Sequence, residues 1–186
     1  MADRNGWARA AHDLGLATWF GGSLMGAVGL NAAAKQASSA DERLEVANAG
    51  WARWTPVNAT GIAAYTVGGA VLTWANKGRL AAQSGVGRVT MAKNAVTLVA
   101  LAATGYSRVL GQRLMDHEKV PVMDGTTPVE DTPPDVKKIQ QQLKILQYAV
   151  PAHIGALIAI SAVMGEQQRT AQVARGVARR LLRTAA

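Results

Sequence analysis

The sequence predicts an all-α protein whose four helices cross a membrane as a single bundle. Residues 14–34, 54–76 and 145–165 contain no Asp, Glu, Lys or Arg. Soluble amphipathic helices place charges on their outer face every turn or so, and these stretches have none. Each stretch also reaches the length of about 20 residues that a hydrocarbon core about 30 Å thick requires. Glycine recurs in all three, which suits the close packing of membrane helices.

The fourth predicted span covers residues 88–113. Its uncharged part, residues 94–107, would be only about 21 Å long as a helix. Lys93 and Arg108 flank this part, and both can extend it by laying their aliphatic stems along the apolar zone while their charges reach the interface. Residues 1–186 are therefore expected to form one membrane domain with four spans.

Two connecting segments and a tail complete this prediction. Leu44, Ala47, Trp51 and Trp54 recur at helical spacing, which predicts a short interfacial helix over residues 35–55, before a second span that begins near Pro56. Residues 115–144 form a Pro-rich outer loop, with a helix restarting at Asp135. The tail, residues 167–186, has the pattern of a basic amphipathic helix. Its arginine stripe is expected to bind anionic lipid headgroups, although a frayed, solvated tail is the alternative: Arg175, Arg179 and Arg183.

Small residues predict where the helices pack. Gly22 and Gly26 form a GxxxG pair in the first span, and Gly61 and Gly68 give the second span a comparable face. Such faces permit close helix crossing, either within one chain or between chains, and carry no information about a substrate. A homo-oligomer or a larger membrane complex is accordingly expected, with lipids as the other partners.

Polar groups at membrane depth form a hypothetical ligand pocket, because such residues are costly in hydrocarbon and mark functional sites. Lys93 is charged and lies within the third span, and His153 is titratable and lies well inside the fourth. The pocket would comprise Asn58, Lys93, Asn94, Tyr148 and His153. The alternative is structural: Lys93 snorkels to the interface, and His153 is a neutral imidazole bonded to a neighbouring helix. His12 is interpreted as a wetted polar helix end.

Several chemistries are excluded by the residues present. The chain has no cysteine, and hence no disulfide, iron–sulfur cluster or thiolate metal site. His12 and His153 are predicted at incompatible depths for a bis-histidine haem. No carboxylate lies inside a span, as a proton or cation carrier would normally require, and no catalytic constellation converges. No cofactor or metal is predicted. The net charge of +8 is attributed to membrane lipids rather than to nucleic acid.

The distribution of Lys and Arg predicts the orientation. Arg4, Arg9, Lys77, Arg79 and Arg88 lie on the side that also holds both termini. Because short cytoplasmic loops carry an excess of basic residues, both termini are expected in the cytoplasm of a multi-pass protein of the cell membrane. Lys137, Lys138 and Lys144 oppose this bias.

The segments WFGGSLMGAVGLNAA, NAGWARWTPVN and GYSRVLG resemble uncharacterised four-helix integral membrane proteins of high-GC actinobacteria. More distantly, the chain is similar to small four-helix membrane families of the copper-resistance type. Its Met and His residues do not form the paired clusters that copper would need. The resemblance implies fold and membrane residence, and it carries no activity.

These observations favour a non-catalytic accessory or scaffold protein of the membrane. The second hypothesis is a small membrane enzyme or ligand-binding protein with a pocket near Lys93 and His153. The third is a soluble helical bundle, since the mean hydropathy is only +0.05 and the spans are rich in Ala, Gly and Thr.

Overall fold

The computed structural model describes residues 5–78, 84–117 and 119–166, and this part of the chain is predominantly helical. Its long elements are α1 (Gly6–Met25), α2 (Ala40–Ala75), α3 (Ser84–Met115) and α4 (Pro134–Glu166). A short antiparallel hairpin of β1 (Val122–Asp124) and β2 (Thr127–Pro128) precedes α4. The predicted all-α class with four helices is confirmed.

The helical path of α1 continues past Met25 through three short segments. A π-helical turn (Gly26–Leu30) is followed by an α-helical segment (Asn31–Ala33) and a 3₁₀ turn (Ala34–Gln36). A π-helical turn holds one more residue than an α-helical turn, so it changes the direction of the side chains that follow. Asn31 comes directly after this turn and is buried, with 4% of its surface exposed.

The predicted interfacial helix over residues 35–55 is wrong as a separate element. Residues 40–55 are the first part of α2, which runs without interruption from Ala40 to Ala75. Pro56 lies inside this helix rather than at its start, and Pro151 likewise lies inside α4. Trp51 and Trp54, assigned to the interfacial helix, are partly buried against α1 and the π-helical turn that follows it.

The helices pack unevenly around the central core. α1 lies against both α2 and α4, and α3 lies mainly against α4, whereas α2 and α3 contact each other only sparsely. The core between them is formed by Leu16, Trp19, Tyr65, Ala100, Val150, Ile154 and Leu157. The bundle is consequently least tightly closed along the line where α2 faces α3, which we call the α2/α3 seam.

A second, smaller core lies around the hairpin. It contains Leu44 of α2, Leu114 of α3, Val136 of α4, and Val120 and Val122 of the segment between α3 and α4. Arg43 Nη1 donates a hydrogen bond to the Val122 carbonyl (3.3 Å), and Gln140 Nε2 donates one to the Asp124 carbonyl (3.2 Å). The predicted Pro-rich loop, residues 115–144, is therefore packed against the helix ends, and α4 begins at Pro134.

One long helix, α4, has the length and composition of a membrane span. Within the described residues, Pro134–Gly165 is the one helical stretch long and apolar enough to cross a membrane by length and composition. Only 22% of its most apolar window is buried inside the protein. The other three helices do not meet the same criterion, so the described structure supports one candidate span where the sequence predicts four.

Candidate functional site

Two cavities open along the α2/α3 seam, and each is lined by side chains from all four helices. The basic cavity has a volume of about 1000 Å³ and includes Arg9, His12, Asp13, Lys77, Lys93 and Asn94 in its wall. The indole cavity has a volume of about 330 Å³ and is lined by Asn31, Trp51, Trp54, Asn58, Thr104 and Gln147, among others.

A layer of core side chains lies between the two cavities. Tyr65 Oη and Thr97 Oγ1, which line the basic cavity, form a hydrogen bond of 2.8 Å between α2 and α3. Trp19 Nε1 donates a hydrogen bond of 3.1 Å to Oγ1 of Thr104, which lines the indole cavity. Trp19 is fully buried, so these polar groups tie α1, α2 and α3 together inside the apolar core.

Polar side chains from α1 and α3 form a chain of hydrogen bonds in the basic cavity. Lys93 Nζ lies 2.8 Å from His12 Nε2, and His12 Nδ1 lies 2.7 Å from Asp13 Oδ1. An ammonium group has no acceptor, so Nε2 accepts the bond from Lys93 and Nδ1 carries the proton that is donated to Asp13. The chain thus runs from carboxylate through neutral imidazole to ammonium.

His12 is held in this neutral form by its surroundings. It is buried, with 4% of its surface exposed, and its ring lies 4.8 Å from the Tyr65 ring, centroid to centroid. Burial lowers the pKa of His12, and the nearby Lys93 charge acts in the same direction, whereas the bond to Asp13 opposes both. His12 precedes the predicted span, residues 14–34.

The charges around the basic cavity do not balance. Among its described lining residues, Arg9, Lys77 and Lys93 are cations and Asp13 is the carboxylate. The Lys77 ammonium lies 4.1 Å from the centroid of the Trp74 ring, a cation–π contact at the rim. Positive charge in a partly enclosed cavity attracts anions.

Asn31 joins three parts of the fold at the edge of the indole cavity. Trp51 Nε1 donates to Asn31 Oδ1 (2.9 Å), and Asn31 Nδ2 donates to Gln147 Oε1 (2.9 Å). The Gly125 backbone N–H donates to the Asn31 carbonyl (3.3 Å). These bonds connect the Asn31–Ala33 segment to α2, α4 and the hairpin, and they depend on the direction in which Asn31 leaves the π-helical turn.

Two other polar groups of the indole cavity lack such partners. Trp54 Nε1 and Asn58 Oδ1 are buried and have no hydrogen-bond partner among the described residues. Buried polar atoms in folded proteins are nearly always bonded, because leaving one unsatisfied costs about 1–3 kcal/mol. One unsatisfied donor and one unsatisfied acceptor therefore belong to residues that line the same cavity.

The five residues of the predicted pocket are divided in the structure. Lys93 and Asn94 line the basic cavity and Asn58 lines the indole cavity, whereas Tyr148 and His153 are not among the lining residues of either. His153 Nδ1 donates a hydrogen bond of 2.7 Å to the Ala149 carbonyl of its own helix. Lys93 is instead paired with His12, which the sequence interpretation treated as a solvated helix end. The adjacency of His12 and Asp13 in the sequence was the one available indication that His12 belongs to a polar site.

The predicted lipid-binding arginines Arg175, Arg179 and Arg183 lie outside the described residues. Within the described part of the chain, no group of three or more His, Cys, Asp or Glu side chains could hold a metal ion. Comparisons of the chain with protein-family models, with curated proteins and with solved structures find no match. The two cavities are therefore the features from which a function can be inferred.

Proposed function

We propose that this chain is a four-span integral membrane protein that binds an anionic amphiphile without catalysis. The four spans are supported by apolar side chains that point away from the bundle on every long helix. Examples are Leu14 on α1 (69% exposed), Val67 on α2 (56%), Leu98 on α3 (67%) and Ile145 on α4 (72%). Large apolar surfaces of this kind are unusual in water and ordinary in lipid.

The length of the helices fits this placement. Helices of 36 and 33 residues, α2 and α4, are about 54 Å and 50 Å long, which exceeds a hydrocarbon core of about 30 Å. The first parts of both helices pack with the hairpin in the smaller core, so this end of the bundle would stand outside the bilayer. The predicted orientation puts it on the outer side, with both termini in the cytoplasm.

The observation that supports amphiphile binding is the Lys93 ammonium, positioned by His12 in the wall of the basic cavity. Three cations and one carboxylate among the described lining residues favour an anionic group. The remaining wall includes Leu16, Ile158 and Ala162, which suit an acyl chain. A lipid with a phosphate or carboxylate headgroup combines both properties, and Trp74 with Lys77 at the rim is typical of a membrane interface.

The scaffold role expected from the glycine faces stays a prediction, and it has less support than amphiphile binding. The faces of Gly15, Gly22 and Gly26 are occupied by α2 of the same chain, and a face used within one chain is not free to join two. An enzymatic role has less support, because both ring nitrogens of His12 are used in internal bonds, to Asp13 and to Lys93.

Native mass spectrometry of the protein in mild detergent tests the proposal. The protein is titrated with phosphatidylglycerol and, separately, with phosphatidylcholine. We expect preferential retention of phosphatidylglycerol, and Lys93→Gln should weaken it about tenfold because a charge-assisted contact is lost. Lys144→Gln removes the same charge from an exposed site outside both cavities and should have no effect.

Equal retention of the two lipids by the unmodified protein would contradict the proposal. So would an equal loss in Lys93→Gln and Lys144→Gln, because that result would reflect net charge rather than the cavity. Adding inorganic phosphate as a competitor separates a headgroup site that needs the acyl chain from a simple phosphate site. Displacement of the lipid by millimolar phosphate would contradict the amphiphile assignment.

A further inference from the structure

The indole cavity differs from the basic cavity in its chemistry. Its wall is mainly apolar, and its polar groups are amides, hydroxyls and indoles, with Arg108 as the charged lining residue. A volume of about 330 Å³ lies at the lower end of the range found for small-molecule sites, about 300–1,000 Å³. Its described lining has one cation where the basic cavity has three, and it contains the buried unsatisfied Trp54 Nε1 and Asn58 Oδ1, so this cavity calls for a separate explanation.

The unsatisfied polar atoms indicate what the occupant must supply. Trp54 Nε1 is a donor without an acceptor, and Asn58 Oδ1 is an acceptor without a donor. The two residues lie four positions apart on α2, and residues at this spacing are neighbours on one helix face. A single molecule with an acceptor beside a donor can therefore meet both requirements.

The wall also indicates the shape of the occupant. The indoles of Trp51 and Trp54 both contribute to the cavity, and Gly105 and Gly111 of α3 line it as well. Aromatic side chains favour flat ring systems through stacked or edge-to-face contacts, and glycines leave room for a ring near the backbone. Trp51 is fixed by its bond to Asn31, so part of this wall is preorganised.

We propose that the indole cavity binds an uncharged aromatic molecule in which a hydrogen-bond acceptor adjoins a donor, as in a cyclic amide. The acceptor receives the Trp54 N–H, and the donor is directed at the Asn58 side-chain oxygen. This site is independent of the amphiphile proposed for the basic cavity. A water molecule could satisfy the same two atoms, and the experiment must separate the two occupants.

The probe is 2-quinolinone, a flat bicyclic lactam, titrated into the detergent-solubilised full chain by isothermal titration calorimetry. Its control is N-methyl-2-quinolinone, which keeps the ring and the carbonyl but lacks the N–H donor. We expect saturable binding of 2-quinolinone and binding of the methylated control that is weaker by about tenfold, the usual effect of leaving a buried polar group unpaired. Each lactam is also titrated into detergent alone, and the heat of its partitioning into the detergent is subtracted.

Two variants locate the binding site. Asn58→Leu should weaken 2-quinolinone about tenfold, and it should stabilise the empty protein because an unsatisfied buried acceptor is removed. Trp54→Phe should weaken binding by a similar factor while keeping an aromatic wall. Trp7→Phe is the matched control, since Trp7 is 60% exposed and lines neither cavity, and it should bind as the unmodified protein does.

Absence of saturable 2-quinolinone binding would overturn the proposal and leave water as the molecule that satisfies the two polar atoms. Equal affinities for the two lactams would overturn it as well, because the donor would then be irrelevant. The comparison of lactams uses the unmodified chain, so it decides the question even if a variant fails to fold. Unchanged affinity in folded Asn58→Leu and folded Trp54→Phe would place any binding elsewhere.

Discussion

Glycines serve the interface between α1 and α2 in two different ways. At Gly15 and Gly68 the opposite helix comes so close that an added Cβ would overlap its backbone. At Gly22 and Gly26 the added Cβ would instead overlap the indoles of Trp54 and Trp51. The GxxxG pair therefore makes room for two tryptophans, while the closest backbone approach involves a glycine outside that motif.

This difference predicts how two glycines of α1, Gly15 and Gly21, respond to the same substitution. Gly15→Ala should destabilise the protein by about 1–3 kcal/mol, because the new methyl group meets the Gly61 carbonyl and the Tyr65 backbone N–H and overpacks the interface. Gly21→Ala should be neutral or stabilise by up to about 1 kcal/mol, since no atom lies within 4 Å of its Cβ position. Denaturation in detergent, followed by circular dichroism, measures both. Equal losses in the two variants would contradict the described contact.

His12 shows the limit of sequence interpretation for single residues. Its position ahead of an uncharged stretch predicted a solvated helix end, yet it is buried and bonded to Lys93, 81 positions away in the sequence. Lys93 was singled out as a charged residue within the third predicted span, with snorkelling to the interface as the alternative. The identity of its partner depends on which helices pack together, and spacing along one chain does not contain that information.

The long helix α2 shows a comparable limit for elements. α2 begins at Ala40, and Asp41 and Glu42 in its first turn suit the positive end of the helix dipole. Pro56 was interpreted as the first turn of a separate helix, because a proline inside a helix loses one hydrogen bond and crowds the preceding turn. The structure continues the helix through this proline, with Leu44, Ala47 and Gly61 packed along its length. Tertiary packing outweighs the local preference.

The continuity of α2 can be measured by pulsed electron spin resonance between two spin labels. Val46 and Val67 are both exposed, and the chain contains no cysteine that would compete for the label. A straight helix places these positions about 32 Å apart. A helix lying on the membrane and joined at a right angle near Thr55 would give about 23 Å. A distance near the smaller value would contradict the described α2.

The hairpin and its small core lay beyond sequence interpretation. Val122 is fully buried, yet it stands in a Pro-rich stretch that predicted an extended loop. Val136 is also fully buried and comes directly after Asp135, where the helix was predicted to restart. Strands of three and two residues are too short for an alternating pattern to be recognised. They are held by Arg43, Gln140 and the helix ends, which are distant in sequence.

For the whole chain, composition and charge-free stretches were enough to predict four helices in one bundle. They did not predict the uneven packing that leaves the α2/α3 seam loosely closed, because seam and core residues have similar composition. Thr97 and Thr104, for example, lie in a stretch otherwise rich in Ala, Leu and Val. Their hydrogen bonds to Tyr65 and Trp19 became visible only in three dimensions.

Membrane orientation can be tested by labelling single cysteines with an impermeant maleimide in intact cells. Met123→Cys lies in the hairpin and Gly78→Cys lies beyond the end of α2, and both positions are exposed. The proposed four-span arrangement predicts immediate labelling at position 123 and labelling at position 78 only after lysis. Labelling of both positions in intact cells, or of neither, would contradict an arrangement in which the two ends of the bundle lie on opposite sides.

The side-chain layer between the cavities has a consequence for the bilayer itself. If lipid surrounds this bundle, the two cavities are separated by the central core, in which the ring centroids of Trp19 and Tyr65 lie 5.9 Å apart. These two rings, together with Ala100, Val150 and Ile154, would then form the barrier that keeps ions from passing between the cavities. A smaller side chain in place of Trp19 would thin this barrier at its centre.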